Sequence, residues 1–385
     1  MVIRRGLAAA AVAATVMAVA LTSPALAAPP GATHHERTQA AMDDIVKAGA
    51  VGVTAQAKGH GKYATWNAAS GLGDLDKGTP RGDRDHYRVG SVTKTFIATV
   101  LLQLEAEGRI DMDDTIGRWL PGVVEGNGND GDKITVRQVL NHTSGLFDLN
   151  TDPEFQEKVY SEGFLQHRYD TWSPEQMVRM AMRHSPAFEP GKGWNYSKTN
   201  YIVAGMIIEK VTGNPYADEI RDRVIRPLGL RGTSVPGTST TVPAPSSRAY
   251  ERLSGDPAGT RYDVTELNPS FAGAAGEMIS DSADLNRFYS ALLRGKLLPP
   301  KQLDEMRTTV PVHEQLPELR YGLGVMEREL SCGVRVMGHT GGVHGSSTVA
   351  MATPDGRHSF AANVNGDMTW RTDTTPLLEA EFCGV

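Results

Sequence analysis

The chain has 385 residues, 39 lysines and arginines against 45 acids, and a formal net charge of −6. This mild acidity argues against a general binder of nucleic acid or of anionic membranes, which would present a basic face. The length allows one large domain or two interleaved lobes with an ample core.

Arg4 and Arg5 precede an apolar run from Gly6 to Leu21, and Ala25-Leu26-Ala27 offers a small-x-small cleavage pattern. Residues 1–27 read as a secretory signal peptide. The alternative is an uncleaved membrane anchor, but the run falls short of the ~20 residues of a span. Cleavage removes two arginines and no acids, so −6 becomes −8 for an exported chain of residues 28–385. No other segment is long and apolar enough to cross a bilayer.

Residues 34–49 are predicted as a helix ending at Gly49, and residues 50–57 and 62–70 as alternating strands. After Ser91 the pattern turns helical, with Ile97, Val100, Leu101 and Leu104 recurring at three and four before Gly108. Thr135-x-x-Gln138 and Ser173-Pro174-Glu175-Gln176 are capping boxes. Residues 200–213 and 282–295 read as helices ending at glycine. Between them, residues 232–247 are too rich in Gly, Pro, Ser and Thr to be regular. We read them as a surface loop, with a domain linker as the alternative. The tail returns to strands: "YGLGVMEREL", "VRVMGHTG", "SSTVAMATP" and "RHSFAANVNG", the last two joined by an Asp355-Gly356 hairpin. Thr375-Pro376 starts a last helix carrying Cys383.

Strands at both ends around a helical middle predict an α/β chain of the α+β type. One antiparallel sheet would be built from both termini (a lobe of about residues 34–90 and 300–385), with helices against it and a helical lobe of about residues 91–299 inserted. A cleft between lobes is the default site. Cys332 and Cys383 are the only cysteines. In an exported chain they most simply pair, closing a loop of roughly 50 residues. A metal-binding or catalytic thiol is the alternative, although neither has a His or second Cys at ligand spacing. No metal and no cofactor are expected.

Ser91 stands three residues before Lys94 at the start of the first long apolar helix, where unpaired N–H groups favour a developing anion. Both lie on one helix face. A desolvated, neutral lysine can take a serine's proton. On this stretch alone, a plain capping serine and a solvated lysine remain the simpler alternative. There is no Gly-x-Ser-x-Gly elbow and no His-Glu-x-x-His motif.

Two further stretches, Tyr196-Ser197-Lys198 before a helix and His339-Thr340-Gly341 closing a strand, complete an ordered set. With "RVGSVTKTF", "ITVRQVLNHTSGL", "YGLGVMERELSCG" and "EFCG", the chain resembles the penicillin-recognising serine hydrolases, of β-lactamase/transpeptidase fold. It looks closest to the secreted D-alanyl-D-alanine carboxypeptidase and alkaline D-peptidase branch. The resemblance implies an acyl-enzyme on Ser91, with Lys94 or Tyr196 as base, Tyr196 by a pKa lowered near two cations. It implies an oxyanion hole from the Ser91 N–H and one near Gly342–His344, and a substrate strip from Lys198, His339, Thr340, Gly341 and Gly342, with His339 supporting charge. It makes His142, Thr143 and Ser144 cleft-shaping residues and supports the Cys332–Cys383 pairing. It implies a monomer acting on D-amino-acid peptides, some peptidoglycan-derived, with β-lactams as inhibitors. An esterase, a weak β-lactamase, or an idle peptidoglycan- or penicillin-binding module are the alternatives.

Three positions depart from the family pattern. Lys198 stands where an Asn is usual. Met326 and Gly342 stand where carboxypeptidase members place an Arg and a Thr against the substrate's carboxylate. Arg328, two residues along, could substitute only by reaching the cleft.

Overall fold

The computed structural model describes residues 34–59, 65–253, 259–366 and 373–384. The signal-peptide reading of residues 1–27, and the start of the strand expected at 62–70, lie outside them. Helix α1 (His34–Lys47) leads into strands β1 (Gly52–Lys58), β2 (Trp66–Asp74) and β3 (Thr79–Pro80). The C-terminal part supplies β4 (Val310–Pro311), β5 (Leu319–Tyr321), β6 (Met326–Glu329), β7 (Arg335–Val343), β8 (Ser346–Ala352) and β9 (Ser359–Val364). Among the described residues these form one nine-stranded sheet in the order β4-β5-β6-β7-β8-β9-β1-β2-β3. Neighbours are antiparallel throughout, and the two chain ends meet where Val53 faces Val364.

Both faces of this sheet are covered, so its central strands are buried on both sides and carry little polar alternation. On the outer face, Val53, Ala55, Val349, Met351 and Phe360 pack with Met42 of α1 and with Leu377 and Leu378 of the last helix (Thr375–Phe382). On the inner face, α2 (Thr93–Ala106), α3 (Lys198–Thr212) and α4 (Ser282–Leu293) share the larger core with Met337, Val343, Ala350 and Ala361. Residues 232–247 carry only isolated bridges. The Thr135–Gln138 capping box is present in full, and Asp355-Gly356 turns the β8–β9 hairpin.

One strand expectation is corrected. "YGLGVMEREL" is two strands, with Tyr321 of β5 facing Met326 of β6. Gly324, at a φ of +74°, makes the turn between them, a conformation that favours glycine. Cys332 and Cys383 are bonded, their Cα atoms 5.7 Å apart. The bridge joins the β6–β7 turn to the end of the last helix.

Candidate active site

Ser91 sits in a 3₁₀ turn (Gly90–Val92) that runs directly into α2. The tip of β7 comes so close to this turn that two glycines are required. A Cβ on Gly341 would lie 1.9 Å from the Val89 carbonyl oxygen and 2.9 Å from the Ser91 nitrogen. A Cβ on Gly90, itself at a φ of +53°, would lie 2.6 Å from the Gly342 nitrogen. The backbone of Gly342 and Val343 therefore borders the same pocket as Ser91.

Lys94 is 2 % exposed, one turn along α2. Its Nζ donates to Ser91 Oγ at 3.0 Å and to the Ala275 carbonyl at 2.7 Å. Burial, assisted by the charge of Lys198, lowers its pKa to about 7. An amine so placed is neutral in a large fraction of molecules at neutral pH and can accept a proton. Its Nζ also lies 4.9 Å from the centre of the Tyr196 ring.

The Tyr196 hydroxyl is hydrogen-bonded to Ser91, so two hydrogen-bonding groups converge on one Oγ. The lowered tyrosine pKa expected from sequence is reversed. Burial pushes the phenol well up and the negative charge of Asp148 adds to it, outweighing the Ser91 hydrogen bond. Tyr196 therefore stays protonated. Its ring rests against His142, with centroids 4.3 Å apart.

His142 is fully buried and holds a left-handed backbone, at a φ of +64°, a conformation uncommon outside glycine. Its Nδ1 accepts from the Ser197 backbone N–H at 3.2 Å and from Asn200 Nδ2 at 3.0 Å. Both partners are donors, so the ring is neutral with its proton on Nε2. It acts as a spacer behind Tyr196.

His339 is likewise buried and neutral. Its Nδ1 faces the Thr340 carbonyl, which can only accept, and its Nε2 accepts from the Tyr321 hydroxyl at 2.8 Å. Burial lowers its pKa to about 3, with the charge of Lys94 acting in the same direction. The expectation that His339 supports charge is therefore replaced by one of a neutral wedge between Tyr321 and β7. Thr340 points to the other face of β7, its hydroxyl 3.7 Å from the Met326 sulfur.

Lys198 opens α3 and is 6 % exposed. Its Nζ sits 4.5 Å from the Phe155 ring centre and 5.2 Å from that of Phe271, with the Tyr160 hydroxyl at 3.5 Å. Asp148 accepts its backbone N–H at 2.8 Å. Burial lowers the Lys198 pKa to about 7, opposed by the Asp148 charge. Arg328 does not reach this pocket. Its guanidinium donates to Thr375 Oγ1 at 2.5 Å, at the start of the last helix on the outer face.

Ser91, Lys94, Tyr196, Lys198 and Gly342 line one pocket with Asn150, Tyr160, Phe271 and Ala275. The first five were singled out from sequence. The others lie in segments without a local motif and were missed. No carboxylate lines the pocket among the described residues. The arrangement can deprotonate Ser91, hold a tetrahedral anion at a helix start, and return a proton to a leaving group.

The beta-lactamase family model matches residues 35–381. The D-stereospecific amidohydrolase of a Streptomyces species is 55% identical in a superposition with a TM-score of 0.87, covering 92% of this chain and 100% of that one. The D-amino acid amidase of Ochrobactrum anthropi, solved with L-phenylalanine amide, is 30% identical at a TM-score of 0.78, over 91% and 99%. A penicillin-binding protein of Bacillus subtilis is 27% identical over 324 residues, 81% of this chain and 67% of that protein. The chain spans only 55% and 46% of the lengths of two further curated relatives.

Proposed function

The chain belongs to the beta-lactamase family, and from that premise we propose that it cleaves amide bonds of D-amino-acid peptides and amides through an acyl-enzyme on Ser91. The observation that carries this reading is the buried Lys94 amine, 3.0 Å from Ser91 Oγ. Neutral Lys94 takes the serine proton as Oγ attacks the carbonyl. The oxyanion forms against the Ser91 N–H and the β7 backbone at Gly342–Val343. Tyr196, held protonated, passes a proton from Lys94 toward the leaving amine. Water then attacks the ester and Ser91 is restored.

D-stereospecificity is supported by the two amidase neighbours at 55% and 30% identity, whose names carry that property. The penicillin-binding relative supports β-lactams as acylating inhibitors. Strict carboxypeptidase action is disfavoured, because the Arg328 guanidinium is engaged by Thr375 and no arginine lines the pocket among the described residues. Lys198 lines the pocket and can donate to a carbonyl oxygen of the acyl portion, such as an N-acylated or internal D-residue presents. We also propose an extracellular setting, supported by the leader-like residues 1–27 and the disulfide.

A matched panel of D- and L-phenylalanine amides, N-acetylated and free, assayed with the parent chain and Ser91→Ala, tests this. Turnover of the D-series, fastest for the N-acetylated member and absent in Ser91→Ala, is expected. Equal turnover of the L-series would remove the stereochemical reading.

A further inference from the structure

A second cavity, of about 130 Å³, lies back to back with the Ser91 pocket. They share one wall: Phe271, Ala272 and Ala275 line the Ser91 side, and Ser270, Gly273 and Ala274 line the other. Trp172, Met177 and Met206 supply apolar lining to the second cavity. Glu209, Glu277 and Tyr216 supply polar lining. Among the described residues no lysine, arginine or histidine lines it.

Glu277 is 2 % exposed. The Tyr216 hydroxyl and the Gly237 backbone N–H hydrogen-bond it. Arg88 attracts its charge from outside the lining, but donates instead to the carbonyls of Thr240 at 2.8 Å and Leu267 at 3.2 Å. Burial, with the Glu209 charge adding to it, raises the Glu277 pKa to about 7. Acids this buried are normally held by a cation at contact distance. This one lines a cavity that aromatic and thioether side chains also line, surfaces that suit an apolar body and an ammonium edge.

We propose that this cavity binds a small organic ammonium ion, its charge between Glu209 and Glu277 and its apolar body against Trp172, Met177 and Met206. The proposal does not depend on the reaction at Ser91. It does place an occupant against the wall whose Ala275 carbonyl holds Lys94.

The test is calorimetric titration of the full chain with benzylamine, and with benzyl alcohol as the neutral isostere. One saturable benzylamine site is expected, at least tenfold tighter than for the alcohol. Glu277→Gln should weaken it tenfold or more, and Met206→Trp, which puts a larger side chain into the cavity, should abolish it. Should Glu277→Gln fail to fold, Glu209→Gln at the less buried carboxylate supplies the same comparison. Benzyl alcohol binding as tightly as the amine, binding that survives the cavity substitutions, or no saturable binding at all would each overturn the proposal.

Discussion

Lys94 and Lys198 are two amines buried around one pocket, and both have their pKa lowered to about 7, chiefly by burial. Their charges repel, so the titration belongs to the pair. The acylation rate should therefore rise as pH increases through about 7, where Lys94 loses its proton, and then level off. Lys198→Met removes one repelling charge, so the midpoint should move upward. Stopped-flow acylation across pH 5–9 checks this, and a midpoint unmoved in Lys198→Met would mean the two amines do not communicate. The linkage to stability has a definite sign. An unfolded lysine titrates near 10.4 and the folded ones lower, so stability should increase as pH rises from about 7 toward that value. Tyr196→Phe separates the roles: a rate loss of about 10²–10⁴ with the pH midpoint kept is expected of a proton carrier that is not the base. At this scale Ser91, Lys94 and Tyr196 were legible in sequence, because each sits in a short motif. The neutrality of His339 was not, since it is set by burial and by the charge of Lys94 from another element, with Tyr321 donating to its ring. Nor was the aromatic surround of Lys198, whose rings come from two segments far apart in the chain, Phe155 and Tyr160 in one and Phe271 in the other.

The tip of β7 is placed by contact with the Ser91 turn, and Gly341 is the point of tightest approach. Gly341→Ala should force the strand away from Val89. A loss of about 1–3 kcal/mol in stability is expected from such overpacking, with a larger loss of acylation rate because the oxyanion donors move. Denaturant melts alongside acylation kinetics on the same variant measure both. A variant with lowered stability and unchanged acylation would show that β7 does not contribute to the hole. Elements with strong local signals were read correctly in kind: the capped helix after Thr135, the Asp355-Gly356 hairpin and the helix after Ser91. The β5–β6 pair was read as one strand because its apolar pattern continues across the turn. The reversal is marked only by Gly322 and Gly324, which also fit a strand interior weakened by glycine.

For the molecule as a whole, the antiparallel sheet assembled from both ends was visible in the order of the element types along the sequence. The strand order was not, because it depends on pairings between segments far apart in the chain. The Cys332–Cys383 bridge closes a long loop around β7, β8 and β9. Chain-entropy reasoning gives such a bridge on the order of 4 kcal/mol. A thermal melt with and without reductant should show a clear drop in midpoint, while the rate at Ser91 well below that midpoint is unchanged. Loss of rate without loss of stability would instead place the bridge in control of the site. The sheet's seam, β1 against β9, has a kinetic consequence. Val53 finds Val364 only after nearly the whole chain has been made. Until then β1 is an open edge, able to pair with other chains. Folding dominated by so late a contact is slow and passes through intermediates. A chain cut before Ser359 should remain protease-sensitive and prone to associate, so the molecule's most vulnerable moment falls in the last stage of its synthesis.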